Sequence, residues 1–406
     1  MTVASAAFQT PHIMISSPPV FRFFKLLPFV LLWICGFFTV AAEPSLFPPK
    51  PADPYFAKFE PQPAPAPTGL VLKAGDRLAI IGDSITEQRM YSRIIETYLT
   101  VCVPELKVTA RQFGWSGETA EGFLRRMTND CFRFQPTLAT LCYGMNDHGY
   151  RAYAEANGQW YRNNYSAVAT GLKAQGALVV LGSPGCVGKV PRWAPDTNCP
   201  VELLNLNLCQ LRNLDLDIAT REGFQFADVF WPMFTADFAA RQKFGADFCV
   251  PGKDGVHPDW AGHVIMAYAF LKGLGFDGNL GSIEVDFGAK RAKGSDGQTV
   301  TGFDGSILSV RSERLPFCVG DFASNATDTV QVGTSLVPFD QELNRLTLRV
   351  KNAPARGVKV TWGNASIELT QAEAERGINL ATLRDNPLLG HFEAIRNAVY
   401  AKQAYE

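Results

Sequence analysis

The sequence predicts an α/β fold: a five-stranded parallel sheet with helices on both faces, then a small antiparallel β unit and a helical tail. Two observations carry this. From Arg77 to about residue 280, short apolar runs alternate with stretches of helical periodicity. Repeated strand–helix units imply a parallel sheet buried on both faces. From Gly281 the texture changes to short alternating runs broken by Gly, Asn and Pro, the pattern of antiparallel strands.

The elements follow in order. "RLAII" from Arg77 is the first buried strand, and "SITEQRMYSRIIETYL" reads as a helix with Tyr91, Ile94, Ile95 and Tyr98 on one face. "LKVTARQF", "TLATLCY", "ALVVLGSP" and "FQFADVF" supply the other four strands. A helix carrying Val264, Ala267, Tyr268 and Leu271 closes this domain, which spans residues 69–280. Residues 281–370 form the β-rich unit. Thr370 and Glu373 have the spacing of a capping box and open the tail, 371–406, where Phe392, Ile395 and Val399 share a face.

Composition sets outer bounds. Hydrophobic residues make up 47% of the 406 and charged residues 19%, enough for a sizeable core. A net charge of -1 gives no electrostatic reason to propose nucleic acid as a partner.

The N-terminus has its own character. Residues 1–42 contain no Asp or Glu, and Arg22 and Lys25 precede "LLPFVLLWICGFFTVAA". Val40-Ala41-Ala42 fits a small-residue cleavage site, so residues 1–42 read as an export signal cut after Ala42. That makes the mature protein secreted or periplasmic, without stable membrane insertion. The alternative is an uncleaved anchor, although the apolar run is short for a full span. Cleavage would remove Cys35, one of nine cysteines. The even remainder permits disulfides in an exported chain, with Cys186 and Cys199, which bracket one loop, as the first pair to test. Residues 43–68, with "PPKPADP" and "PQPAPAP", read as an extended proline-rich leader.

Ligands of parallel α/β sheets bind outside the carboxyl ends of the strands. After the first strand stands Gly82-Asp83-Ser84. After the second comes "FGWSGET" with Gly117, and after the third "YGMND" with Asn146 and Asp147. Across a loop after the fifth comes "KDGVHPDWAGH" with Asp254 and His257. The chemistry is coherent. A serine hydroxyl needs a nearby base to attack, His257 can take and return the proton, and Asp254 can orient the imidazole. The backbone N–H groups of Ser84 and Gly117 and the Asn146 amide can bind the resulting oxyanion. Taken singly, each residue has a plainer reading. Ser84 and Glu87 have capping-box spacing, Gly117 suits a turn, Asn146-Asp147 a loop cap, Asp254-Gly255 a turn, and His257 a surface position. The four segments in order at strand ends outweigh these.

Together the four segments resemble the SGNH (GDSL-type) hydrolase family, over about Leu70 to Gly275. Gly82-Asp83-Ser84, Gly117, Gly144-x-Asn146-Asp147 and Asp254-x-x-His257 match its four blocks. The resemblance implies a flavodoxin-like three-layer fold and serine-dependent esterase or lipase activity; no cofactor or metal is expected. It assigns Ser84 as nucleophile, His257 as base, Asp254 as its partner, and Gly117 and Asn146 as oxyanion donors. The β-rich unit lies outside it.

Other chemistries fit less well. Ser84 has Gly at −2 and Thr at +2, not a Gly-x-Ser-x-Gly elbow. Five histidines without a His-Glu-x-x-His disfavour a zinc hydrolase; His148 and His263 lie near the motifs as isolated residues. The expected substrate is a short acyl ester, especially O-acetyl on a carbohydrate, because Trp115, Tyr143, Tyr150 and Trp193 stand near the motifs and aromatic faces suit sugar rings. Equally, those rings could pack in the core. The rivals are a lipase or lysophospholipase acting on longer chains, and a non-catalytic surface- or carbohydrate-binding protein. The β unit would then be a brace on the sheet or a binding module.

Overall fold

The computed structural model describes residues 8–17, 49–319 and 329–406. It opens on strand β1 (Phe8–Ser16). The catalytic half follows: β2 (Arg77–Gly82), α1 (Ser84–Glu87), α2 (Met90–Val101), β3 (Thr109–Gly114), α3 (Ala120–Arg126), β4 (Leu138–Cys142) and α4 (Glu155–Ala174). Then come β5 (Leu178–Gly182), α5 (Val201–Glu222), β6 (Gln225–Ala227), α6 (Phe230–Phe244) and α7 (Trp260–Gly273).

β2 to β6 form one parallel sheet in the order β3-β2-β4-β5-β6, the flavodoxin-like arrangement with its switch point beside β2. The pleat divides β2 between two cores. Leu78 and Ile80 pack with Ile94, Ile95, Tyr98 and Phe270; Ala79 and Ile81 pack with Phe123, Tyr165, Leu172 and Leu211. Burial on both faces is why the strand reads as an unbroken apolar run. The ladder register sets Gly114, Gly82, Cys142, Gly182 and Ala227 side by side. The loops that follow therefore leave the sheet at one level.

The single helix expected over 84–99 is two. Arg89 adopts a left-handed conformation (φ 58°) between α1 and α2. The expected apolar face survives the break, with Tyr91, Ile94, Ile95 and Tyr98 all buried.

The second half comprises β7 (Asn279–Asp286), β8 (Arg291–Ser295), β9 (Gln298–Phe303), β10 (Ile307–Ser312), α8 (Val330–Leu336), α9 (Phe339–Glu342) and β11 (Arg345–Lys351). β12 (Val358–Trp362), β13 (Ala365–Leu369), α10 (Gln371–Arg376), β14 (Ile378–Asn379) and α11 (Leu389–Tyr405) complete it. The strands make two sheets, β14-β11-β7-β8 and β13-β12-β1-β10-β9. One pair departs from the antiparallel expectation: β7 and β11 run parallel. A parallel partner needs a long crossover, here β8 through α9, and alternation alone carries no strand direction. The Thr370–Glu373 capping box forms as expected at α10.

These sheets brace the catalytic half. Tyr98 donates its O–H to the Leu343 carbonyl (2.8 Å), Leu315 N–H donates to the Val101 carbonyl (3.0 Å), and Ser92 on α2 bonds Gln403 on α11 (2.8 Å). One apolar core runs from α2 and α7 through β7, β11 and β12.

The N-terminal region departs furthest from expectation. β1 lies inside the segment expected to be removed, yet it is the middle strand of its sheet, antiparallel to both β10 and β12. Ile13 and Ile15 are buried there. A cut after Ala42 would take this strand away and leave open edges on β10 and β12. The cut site and Cys35 themselves lie outside the described residues. The leader is also docked. Phe56 and Phe59 are fully buried and meet Phe234, Phe56 also meeting Trp231 and Phe238. Asn213 bonds Gln62 and Glu60.

Eight cysteines among the described residues are free thiols, Cys186 and Cys199, the first pair to test, included. Cys186 points into the apolar core, whereas Cys199 is only partly buried ahead of α5. Among the described residues no helix is long and apolar enough to cross a membrane.

Candidate active site

Ser84 is the first residue of α1, two residues past the end of β2. The helix cap is Asp83, whose Oδ1 accepts the Ile85 N–H at 2.9 Å. That decides between the two readings of Ser84: the capping is done by its neighbour. The Ser84 hydroxyl is free to face His257, with Oγ 2.8 Å from Nε2.

His257 and Asp254 sit on the loop before α7. The His257 ring Nδ1–H donates to Asp254 Oδ2 at 2.8 Å, and Asp254 Oδ1 accepts the backbone N–H groups of Val256 and His257, each at 2.9 Å. Burial alone would raise the Asp254 carboxyl. The hydrogen bonds from the His257 and Val256 backbone and the His257 ring outweigh it and hold the group below the usual carboxylate range. The side chains stay accessible, His257 being 28% and Asp254 39% exposed, so the site opens at the surface.

Gly117 lies in the turn between β3 and α3. Its φ of 71° is left-handed, which a side chain disfavours, and the space where a Cβ would stand is open. Asn146 follows β4. Its Nδ2 donates one hydrogen to the Glu118 carbonyl at 3.0 Å, which leaves the other for a ligand. Hydrogen bonds thus join Ser84, His257 and Asp254, and Gly117 and Asn146 lie on the loops after β3 and β4, which Glu118 links.

Several supporting residues escaped sequence reasoning. Asp147 ties two of the loops together, accepting from Ala120 N–H and Gly144 N–H, both at 2.9 Å. Burial pushes its carboxyl up to about 6 and that of Asp83 up to about 7. Glu118 pairs with Arg126 and accepts from the Tyr143 hydroxyl. His263 is buried, its Nδ1 accepting the Tyr91 N–H and its Nε2 meeting Gln88 Oε1, both at 3.2 Å. Asp147 carried a signal in its place beside Asn146, and His263 in its place near the last motif.

The aromatic residues divide. Tyr143 is fully buried and belongs to the core. Tyr150 is nearly so, while Trp115 and Trp193 are 62% and 41% exposed. The Trp193 ring lies 5.6 Å from the His257 ring, centre to centre.

A parallel sheet of this order with these residues on its carboxyl edge defines an enzyme of the SGNH hydrolase fold. Residues 80–265, just under half of the chain, match the model of the GDSL-like Lipase/Acylhydrolase family, a match that supports an SGNH-type ester hydrolase. Among solved structures it is similar to BT4096, a gut microbial diltiazem-metabolizing enzyme, at 26% identity and TM-score 0.69 over 84% of this chain and 80% of that one. That likeness reaches well beyond residues 80–265, into the bracing sheets. It is also similar to LAE5, an alpha/beta hydrolase enzyme from the metagenome of Lake Arreo, Spain (22% identity, TM-score 0.42, 51% of this chain and 98% of that). A third is Axe2, an acetylxylan esterase from Geobacillus stearothermophilus (21%, 0.40, 50% and 96%). Curated proteins give no match.

Proposed function

We propose that this protein is a serine esterase that works through an acyl-enzyme. The observation that carries the reading is the line Ser84 Oγ–His257 Nε2 at 2.8 Å and His257 Nδ1–Asp254 Oδ2 at 2.8 Å. In this reading His257 accepts the Ser84 proton as Oγ attacks the ester carbonyl. Asp254, kept ionised, steadies the imidazolium. The backbone N–H groups of Ser84 and Gly117 and the free Asn146 Nδ2–H receive the oxyanion. Collapse expels the alcohol with the proton from His257, and a water activated by the same imidazole releases the acid.

The substrate we propose is a short acyl ester, such as O-acetyl, on a carbohydrate or similarly ring-bearing alcohol. Two features support this. The catalytic side chains are open to solvent, which suits a bulky alcohol, and two exposed tryptophans, Trp115 and Trp193, stand on the loops that carry or face the site. The likeness to BT4096, a diltiazem-metabolizing enzyme, also fits an open site of this kind. Comparing acetyl with decanoyl esters is the test. Faster turnover of decanoyl esters would replace this reading with a lipase. Export belongs to the same proposal, with the N-terminus of the protein purified from its own cells as the check. A mature chain beginning at Glu43 supports cleavage after Ala42, and one that retains β1 removes it.

A further inference from the structure

We propose that Tyr150 is a positioning residue of the oxyanion hole, which fixes the direction of the Asn146 amide and links it to the exposed ring of Trp193. This rests on the serine-esterase reading above. An amide can point either way, and only one orientation presents N–H to an oxyanion. Two contacts set it. Glu118 offers a carbonyl, which only accepts, to Asn146 Nδ2 at 3.0 Å. On the other side the Tyr150 hydroxyl donates to Asn146 Oδ1 at 3.1 Å.

A phenol can donate or accept, so the second contact alone would tolerate a flipped amide. The Glu118 carbonyl removes that freedom, because it can only receive the Asn146 N–H. The Asn146 oxygen then faces the phenol, which gives it its hydrogen. Burial pushes the Tyr150 pKa up to about 12, so the phenol keeps that hydrogen through the working pH range. The Trp193 indole stands edge-on to the Tyr150 ring, 6.1 Å between centres at 89°.

The backbone supports the same conclusion. Tyr150 has φ 51°, a conformation that a bulky residue seldom adopts and that concentrates at functional sites. Its ring packs 4.6 Å from the buried ring of His148, which holds the phenol against Asn146. Trp193 also lies on His257. One exposed residue thus touches the base and, through Tyr150, the oxyanion amide. A ring-bearing alcohol resting on Trp193 would press on both.

The test is a set of variants assayed on p-nitrophenyl acetate. Tyr150→Phe keeps the ring and removes the donor. It should lower kcat about 10- to 100-fold with KM nearly unchanged, a loss smaller than that of deleting an oxyanion donor outright. Its pH profile should stay parallel to the parent and its melting temperature should hold. Asn146→Ala should cost about 100- to 1,000-fold, and adding Tyr150→Phe to it should cost nothing more. Trp193→Ala, which removes the ring packed edge-on against Tyr150, should lower kcat several-fold, and it carries the test if Tyr150→Phe fails to fold. Equal losses from Tyr150→Phe with and without Asn146, or kcat within twofold of the parent, would overturn the proposal. Full activity in Ser84→Ala would instead overturn the esterase reading beneath it.

Discussion

Asp254 holds His257 twice, accepting its ring Nδ1–H on one carboxylate oxygen and its backbone N–H on the other. The imidazole is thus aimed from three positions earlier in its own loop and needs no partner from the sheet. This clamp makes the carboxylate a sensitive position. Asp254→Asn keeps the shape and removes the charge, and the side-chain amide no longer selects the tautomer that leaves Nε2 free to accept. We expect kcat to fall about 10,000-fold at little change in KM, measured by steady-state kinetics on p-nitrophenyl acetate.

The loop itself depends on Gly252. A Cβ there would stand 1.8 Å from the His257 carbonyl oxygen, and φ is +87°. Gly252→Ala must move the loop that carries both residues of the clamp. A displacement near 1 Å can cost about 100-fold in rate. We expect a loss of that order with Ser84 intact, and a lower melting temperature in a thermal scan.

His263 gives a pH signature separate from catalysis. Burial lowers its pKa from 6.5 to about 3. Between these values the unfolded chain binds a proton that the folded chain does not, so stability rises with pH. The contribution is complete above 6.5 and is lost as pH falls toward 3. His148, lowered to about 4, acts in the same direction; Asp83 and Asp147, raised by burial, act in the opposite one. His263→Gln leaves those three in place. It should flatten the stability–pH slope between about pH 4 and 6 by one proton, or about 1.4 kcal/mol per pH unit. Urea unfolding at several pH values measures it, and an unchanged slope would mean that His263 is charged in the fold.

β1 should behave as a core strand in the full chain. Ile13 pairs with both Leu308 and Trp362, and Ile15 with Val360. Amide exchange at residues 12–16 should be slow, and Ile15→Asp, which buries a charge, should lower the melting temperature by several degrees. Exchange of these amides at free-peptide rates would show that the sheet stands without them.

Much of the site was legible because it sits at strand ends. Gly82 and Cys142 close runs of apolar residues, and the polar residues just beyond them are among those that the register brings level. What stayed hidden was set by tertiary contact. Asp83 rather than Ser84 caps α1, a choice that depends on where His257 lies. Tyr150 looked like any aromatic near a motif until its hydroxyl was placed on Asn146. Phe56 and Phe59 were masked by the prolines around them. β1 was masked by the basic and apolar residues that follow it, since composition over 1–42 speaks of export and the short run His12–Ser16 speaks of a strand. The parallel partner of β7 lies beyond three strands and two helices, outside the range of any local pattern.

The most direct measurement is covalent capture. The full-length protein, treated with a fluorophosphonate and digested, should carry one stoichiometric adduct, on Ser84, with ester hydrolysis lost in proportion. His257→Ala should block labelling. Hydrolysis that continues with Ser84 fully modified, or an adduct on a different residue that alone abolishes activity, would contradict the acyl-enzyme mechanism.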